Sequence, residues 1–95
     1  MILSIRNKAV SALYHRGDAS KLPAEHIEKI TRILTRLDAV KKPQEMNYPA
    51  SDFHQLKGKL QDFYSVKVQA NWKTIFQFDG EDVIDVDYLD YHWHR

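Results

Sequence analysis

Residues 83–92 read VIDVDYLDYH, and the first part of this segment alternates apolar with acidic side chains. That alternation is typical of a β-strand with one buried face. The segment then ends in Asp90, Tyr91 and His92, three neighbouring side chains that can accept a proton, donate one or stack on an aromatic ring. We therefore expect a strand whose end carries a functional site, to which other parts of the chain bring further groups.

The elements before this strand can be placed from local signals. A length of 95 residues predicts one domain, residues 1–95. A short apolar run predicts a first strand over residues 1–5. Two helices follow: the first is capped by Asn7 and ends at Gly17, and the second begins at Pro23 and ends near Val40. The rest of the chain predicts an ordered loop at residues 43–51 and short strands at residues 53–56, 63–68, 72–78 and 83–89.

This order of elements predicts an α+β fold, a small single domain in which a helical hairpin packs on one face of a mainly antiparallel sheet. The second helix carries an apolar stripe, made of Ile27, Ile30, Ile33, Leu34 and Leu37. In the run at residues 72–78 the aromatic side chains share one parity, so we expect that face against the helices. Lys73 is then expected on the opposite, open face of the sheet.

Composition and charge narrow the class of protein. The chain has no cysteine, which excludes disulfides and a thiol nucleophile and fits a reducing cytoplasm. No apolar run reaches membrane-spanning length, and residues 1–5 are too short for a signal peptide, so we expect a cytoplasmic protein without membrane contact. Residues 1–73 hold 13 of the 14 lysines and arginines but 7 of the 13 acids, and residues 79–90 hold the other six. This distribution fits either an ordinary solvated surface or a body that binds a polyanion.

The strand-rich half contains residue types suited to cleaving a phosphodiester. They are His54, Lys57, Lys73, Asp90, Tyr91 and His92. In RNA, a base must remove the proton of the 2′-hydroxyl that attacks the phosphate, an acid must protonate the leaving 5′-oxygen, and cations must stabilise the phosphorane. Imidazole or carboxylate can act as the base, imidazole as the acid and lysine as the cation, so this chemistry needs no metal or other cofactor.

Each of these residues also has a structural interpretation. The histidines can be surface or capping residues, and Lys57 can be a solvated turn lysine next to Gly58. Asp90 can be ion-paired with a lysine, and Tyr91 can simply pack. Lys73 can be a cross-strand partner of Asp85 or Asp87.

A metal site is a further alternative at the chain end. Asp90, His92 and His94 alternate, so they would share one face if the strand continued. Carboxylate and imidazole ligands suit zinc or manganese. Ligands at a chain end are poorly held, however, and nothing upstream supplies an obvious fourth ligand, so we expect no metal.

The sequence resembles the HigB toxins, the "killer protein" branch of the RelE-like ribonuclease toxins of type II toxin–antitoxin systems. Each matching piece is common by itself, but six pieces in this order and spacing, over almost the whole chain, characterise the branch. The pieces are ILxxLDA from Ile33, PxxMNxP from Pro43, FHxLKG from Phe53, FYSVxV from Phe63, NWK from Asn71 and DVDYLDYH from Asp85.

The resemblance implies a RelE-like fold and a toxin that enters the ribosomal A site and cuts the mRNA there. Its implied partners are the 70S ribosome with its mRNA and a cognate HigA-like antitoxin with a helix-turn-helix domain, which alone would contact DNA. The resemblance also implies the roles of the site residues: phosphate binding for Lys57 and Lys73, proton transfer for Asp90 and His92, base stacking or orientation for Tyr91, and assistance from His54.

Two features depart from the family pattern. Most relatives have arginine where this chain has Lys73, and lysine offers one compact charge instead of a planar fork. That difference leaves open an alternative function, a weakly active or non-catalytic relative that acts by binding its antitoxin and tuning autorepression. A nuclease of free RNA is a third possibility. In addition, Trp93, His94 and Arg95 extend past the usual ending and are expected to be dispensable for cleavage.

Overall fold

The protein is described by a computed structural model over residues 1–91, which form two helices and a four-stranded antiparallel sheet. The sheet order β1-β2-β3-β4 follows the chain, so the sheet is a meander. This architecture confirms the predicted α+β fold. The elements are α1 (Lys8–Arg16), α2 (Ala24–Ala39), a 3₁₀ turn (Pro43–Met46), β1 (His54–Gln55), a second 3₁₀ turn (Gly58–Leu60), β2 (Tyr64–Gln69), β3 (Trp72–Asp79) and β4 (Asp82–Asp90).

The two helices begin and end close to the predicted points. The side chain of Asn7 accepts a hydrogen bond from the Val10 backbone N–H at 3.0 Å, and Gly17 ends α1 with a left-handed φ of 67°. α2 starts after Pro23 and buries Ile30, Ile33, Leu34 and Leu37 against the sheet. Ile27 is only half-buried, because the stripe is shifted toward His26, which lies in the core.

The predicted first strand is wrong as a regular element. Residues 1–5 contact β4 through two isolated parallel bridges, Ile2 with Val83 and Ile5 with Val86. The two bridges are three residues apart along each segment. Between them β4 has a bulge, where Asp85 has a left-handed φ of 55°. The Ser4 hydroxyl accepts a hydrogen bond from the Asp85 backbone N–H at 2.8 Å, so the N-terminal segment is bonded to the bulge itself.

The sheet has one face against the helices, and the aromatic parity of β3 predicts which one. Phe76 is fully buried in the main core, and Trp72 and Phe78 pack against it, as predicted. The opposite face was expected to be open, but a second small cluster of Leu56, Phe63 and Ile75 covers part of it. The chain between β1 and β2 folds back over the sheet and supplies two of these three residues, and this return leaves a recess beside Lys73.

The His26 side chain is buried between α2 and the sheet. The Nδ1 atom of His26 lies 2.5 Å from the Tyr88 hydroxyl, and the Tyr88 ring stacks on Trp72 with centroids 4.7 Å apart. Burial raises the pKa of Tyr88, so its hydroxyl stays protonated well into the alkaline range.

Within the described residues 1–91, no helix is long and apolar enough to cross a membrane.

Candidate active site

The recess on the face opposite the helices is a cavity of about 420 Å³. The residues that line it come from all four strands: β1 and the residues just after it, the starts of β2 and β3, and the residue that follows β4. They are His54, Gln55, Leu56, Lys57, Ser65, Lys73 and Tyr91. Four of the six residues predicted from the sequence therefore lie around one cavity, although they are up to 37 positions apart in the chain (91 − 54 = 37).

His54 reaches the cavity from β1, where it pairs with Ser65 of β2. Its side chain is 63% exposed. Its Nδ1 atom lies 2.9 Å from the backbone oxygen of Asp52 and 3.5 Å from one carboxylate oxygen of the same residue. Both neighbours are acceptors, so Nδ1 is the donor, and a neutral His54 ring presents its Nε2 atom as a proton acceptor.

Lys73 enters the cavity from β3, and its side chain is only 16% exposed. Its Nζ atom lies 3.2 Å from the other carboxylate oxygen of Asp52. In the sheet, Lys73 stands opposite Leu89 on one side and Lys67 on the other. The structural alternative that Lys73 is a cross-strand partner of Asp85 or Asp87 is therefore wrong, because the register places Leu89 and Lys67 opposite it.

Lys57 lies two residues after β1 and directly precedes the 3₁₀ turn that begins at Gly58. The turn can start there because Gly58 takes a left-handed φ of 69°, which a glycine adopts without strain. Lys57 itself is exposed, as expected of a turn lysine, and it also lines the cavity. The two lysines of the cavity thus differ: Lys73 is held in place, whereas Lys57 can adapt to a ligand.

Tyr91 and Asp90 lie at the end of β4. Tyr91 lines the cavity and packs against the second cluster, and its backbone N–H donates to the Asn71 oxygen at 2.8 Å. Asp90 pairs with Trp72 in the register, and strand alternation directs its Cβ toward the opposite face from Lys73. Asp90 accordingly does not line the cavity in the described part of the chain. His92 lies outside the described residues, so its predicted role stays a prediction, as does the role of Asp90.

Sequence reasoning missed Asp52, Gln55 and Ser65. Asp52 contacts both His54 and Lys73, and Ser65 is fully buried below the cavity. The spacing Asp52-Phe53-His54 was a usable signal, since an acid two positions before a histidine can bond to its ring. The contact between Asp52 and Lys73 joins positions 21 apart, which no local pattern reveals.

The described residues do not support a metal centre. Within residues 1–91, no group of three or more histidine, aspartate or glutamate side chains could hold a metal ion. The metal alternative raised by Asp90, His92 and His94 involves two residues outside the described part of the chain. The cavity contains two ammonium groups, an imidazole and a phenol. These groups are suited to binding an anionic ligand and to transferring a proton to or from it.

The chain is similar to known toxins over nearly its full length. A family model described as "RelE-like toxin of type II toxin-antitoxin system HigB" matches residues 3–92. The protein "Endoribonuclease HigB" of Proteus vulgaris is 34% identical over 92 residues, which cover 97% of this chain and 100% of that protein. Its residues therefore align with almost every position discussed above.

Two solved structures from Staphylococcus aureus share the fold. The YoeB dimer superposes with a TM-score of 0.60, at 16% identity over 96% of this chain and 94% of that one. The heterotetrameric YoeB–YefM toxin–antitoxin complex gives a TM-score of 0.62, at 16% identity over 97% and 95% of the two chains. At this identity the likeness shows the fold alone.

Proposed function

The chain belongs to the HigB-like family of RelE-like toxins of type II toxin–antitoxin systems, and we propose that it is an endoribonuclease that cuts mRNA in the ribosomal A site and so inhibits translation and growth. The observation that carries this proposal is the convergence of His54, Lys57, Lys73 and Tyr91 on one cavity. Ribosomes are cytoplasmic, so the proposed place of action is the cytoplasm.

The proposed reaction is an internal transfer of the phosphodiester. The 2′-oxygen bonds to phosphorus as the bond from phosphorus to the 5′-oxygen breaks, which gives a 2′,3′-cyclic phosphate and a free 5′-hydroxyl. A base takes the 2′-proton, and an acid gives a proton to the 5′-oxygen. Two lysines at the cavity support this reaction, because the phosphorane carries an extra negative charge that ammonium groups stabilise.

The proposed roles follow the chemistry of each group. Lys57 and Lys73 hold the scissile phosphate, and Tyr91 stacks on or orients a base. His54 presents Nε2 as a proton acceptor, which supports a part in proton transfer. By family resemblance His92 and Asp90 form the main proton-transfer pair.

The proposed macromolecular partners are the 70S ribosome and a HigA-like antitoxin with a helix-turn-helix domain, through which alone DNA is contacted. A basic surface on α2 supports the first. Lys29, Arg32 and Arg36 line a second cavity of about 330 Å³ with Tyr48, and the Arg36 guanidinium stacks on the Tyr48 ring at 4.4 Å. Among the described residues, no acidic residue lines this second cavity, although Arg32 also pairs with Glu28 on the same helix. Cations grouped in this way favour contact with ribosomal RNA.

The direct test is expression of the protein without its antitoxin. We expect arrested growth and cleavage of mRNA on programmed ribosomes, with little cleavage of the same RNA when it is free. The double variant His92→Ala with Lys57→Ala should remain folded and lose toxicity. Unimpaired growth at good expression of the wild-type protein would contradict the proposal, and equal cleavage of free and ribosome-bound RNA would make it a general ribonuclease.

The same assay separates a second candidate function. Lys73 replaces the arginine of most relatives and is already paired with Asp52 at 3.2 Å, which favours a weakly active relative that mainly binds its antitoxin and tunes repression. Such a protein would co-purify with the antitoxin and cut little or nothing on programmed ribosomes. Efficient cleavage by the wild-type protein excludes this alternative.

A further inference from the structure

One carboxylate links two of the residues at the cavity. Asp52 Oδ2 lies 3.2 Å from Lys73 Nζ, and Asp52 Oδ1 lies 3.5 Å from His54 Nδ1. Asp52 is not one of the residues that line the cavity, whereas both of its partners are. The carboxylate thus touches two proposed active-site groups from outside the space that a substrate would occupy.

Asp52 is itself held firmly by the residues on either side. The backbone oxygen of the buried Ser51 accepts from the Lys67 N–H at 2.7 Å, and its hydroxyl accepts from the Tyr48 N–H at 3.2 Å. On the other side Phe53 stacks on Tyr64, with ring centroids 5.6 Å apart. Asp52 lies between these two anchors with a left-handed φ of 50°, so its position is set by the fold.

Lys73 needs such a partner because of its place in the sheet. Lys67 stands directly opposite on the same face, and like charges at directly opposite positions repel. A lysine stem is also flexible, with several rotatable bonds to fix before its charge has a defined place. The Asp52 carboxylate offsets the repulsion and takes one N–H of Lys73, which leaves the other two for a phosphate oxygen.

His54 is fixed through two atoms of the same residue. Its Nδ1–H donates to the Asp52 backbone oxygen at 2.9 Å and faces the carboxylate at 3.5 Å. These contacts select the ring orientation and the tautomer with Nε2 as acceptor, which is the form that can accept a proton.

We propose that Asp52 is a positioning residue for the cleavage reaction, one that fixes the Lys73 ammonium and the His54 ring in their working places. This inference rests on the proposed function. It competes with two simpler accounts. In one, the contacts are an exposed ion pair of little consequence, since the Asp52 side chain is 48% exposed. In the other, the carboxylate competes with the substrate phosphate for Lys73.

The test is Asp52→Asn, which removes the charge, keeps the shape and suits a left-handed backbone. Single-turnover cleavage on programmed ribosomes gives the maximal rate and the half-saturating ribosome concentration. We expect the maximal rate to fall by roughly 10- to 100-fold, the range that misplaced catalytic groups produce, with half-saturation little changed. Asp52→Gly, which also suits the left-handed backbone, should lower the rate to a similar extent. Agreement between the two variants would show that the loss does not come from the new asparagine side chain.

The matched control is Asp85→Asn. Asp85 is also a left-handed aspartate paired with a cation, Arg6 at 3.5 Å, but it does not line the cavity. Unlike the two partners of Asp52, Arg6 does not line the cavity either. This variant should therefore cleave as the wild type does. An equal loss in both variants would mean a general effect of charge or stability and would overturn the proposal.

A double-mutant cycle separates positioning from the other accounts. In a Lys73→Ala background, Asp52→Asn should cost less than it does in the wild type, because one of its partners is gone. Equal losses in the two backgrounds overturn the proposal. An unchanged cleavage rate in Asp52→Asn would mean that the ion pair has little consequence. A faster rate at a lower half-saturating ribosome concentration would mean that the carboxylate competes with the substrate phosphate. Either result overturns the positioning role and leaves the proposed function intact.

If the wild-type protein itself cuts nothing, the proposed function fails and the positioning role fails with it.

Discussion

Lys73 is the cation of the cavity whose electrostatic environment is best defined. It is mostly buried, faces a second lysine across the strands and is balanced by one carboxylate. A buried ammonium acts on a nearby phosphate through less screening water than an exposed one, so its contribution per contact is larger. Lys57, which is exposed, should contribute less to the reaction and more to initial binding.

We expect Lys73→Ala to lower the single-turnover cleavage rate by about 10²–10³-fold, the usual cost of deleting one group that stabilises developing charge. Lys73→Arg should retain most of the activity, because the cation is kept and its planar fork can bond both Asp52 and a phosphate. Thermal unfolding of each variant, followed by circular dichroism, checks that the fold is intact.

The matched control for this prediction is Lys67→Ala. Lys67 stands opposite Lys73 on the same face and carries the same charge, but it does not line the cavity. Its removal should change the rate far less than Lys73→Ala does. A similar loss in both variants would mean that overall positive potential is what matters, and the phosphate-binding role assigned to Lys73 would be wrong.

At the scale of elements, residues 1–6 are fastened to the fold from two sides. Leu3 and Arg6 donate backbone hydrogen bonds to β4 at 2.8 and 2.7 Å. On the other side, the Ile2 backbone N–H donates to Asp38 of α2 at 2.9 Å. The Tyr14 hydroxyl of α1 lies 2.8 Å from both oxygens of the same carboxylate. Asp38 therefore joins the N-terminal segment, α1 and α2 at a single point.

This junction predicts a pH-dependent contribution to stability. Burial and the Asp38 carboxylate raise the pKa of Tyr14 above its usual value of 10.0. Because the folded pKa is the higher one, the contribution is full below pH 10 and is lost as the pH rises through the folded value. We expect the free energy of unfolding of Tyr14→Phe to be about 1 kcal/mol or less below that of the wild type at neutral pH. This difference should narrow as the pH rises above 10.

The measurement is urea unfolding of both proteins at matched pH values. The interval from pH 6 to 8 is an internal control, since the gap should stay constant where Tyr14 does not titrate. Burial also raises the pKa of Tyr48 and Tyr88, but both residues are present in the two proteins and cancel in the difference. A difference that stays constant as the pH is raised well above 10 would contradict the prediction.

Several elements could be predicted because their causes are local. The Asn7 cap, the Gly17 stop and the aromatic parity of β3 are each set by residues a few positions apart, and the structure confirms all three. The failures have non-local causes. Residues 1–5 look like a strand, but a bulge at Asp85, 80 positions later, decides how they pair.

The candidate site shows the same division. Family resemblance predicted His54, Lys57, Lys73 and Tyr91, which the fold brings to one cavity. Asp52 was missed because its link to Lys73 depends on the path of the loop between α2 and β1. That path is fixed by a hydrogen bond from the Lys67 N–H to the Ser51 oxygen and by the stacking of Phe53 on Tyr64. None of these contacts leaves a pattern in the sequence.

At the scale of the whole molecule, two of the basic regions lie on either side of the loop between α2 and β1. One is the cavity itself, with Lys57 and Lys73. The other is the outer face of α2, where Lys29, Arg32 and Arg36 line a cavity with Tyr48. The loop from Tyr48 to His54 runs between them, with Tyr48 contacting Arg36 and His54 lining the active-site cavity. Under the proposed function, ribosomal RNA would contact α2 while the mRNA enters the cavity.

This arrangement predicts that α2 sets much of the salt dependence of ribosome binding. Removing one cation that neutralises an RNA phosphate should reduce the slope of log affinity against log salt by about 0.7–0.9. We expect the pair Lys29→Gln and Arg32→Gln to weaken binding and flatten that slope, measured with 70S ribosomes in the non-cleaving His92→Ala, Lys57→Ala background. Arg36 is left in place because it packs on Tyr48. Arg32 forms an exposed pair with Glu28 on the same helix, and removing that pair costs only about 0.3–0.5 kcal/mol of stability.

The control must remove the same charge from another surface. Lys8→Gln with Arg16→Gln does so on α1, where both residues line a separate basic cavity with Lys21. If RNA contacts α2, the α2 pair flattens the salt slope and the α1 pair leaves it nearly unchanged. Equal flattening by the two pairs would mean that the net charge of the protein drives binding. A flatter slope for the α1 pair alone would move the ribosome-facing surface to α1. Because each pair removes two positive charges from the same background, any difference between them reports on position.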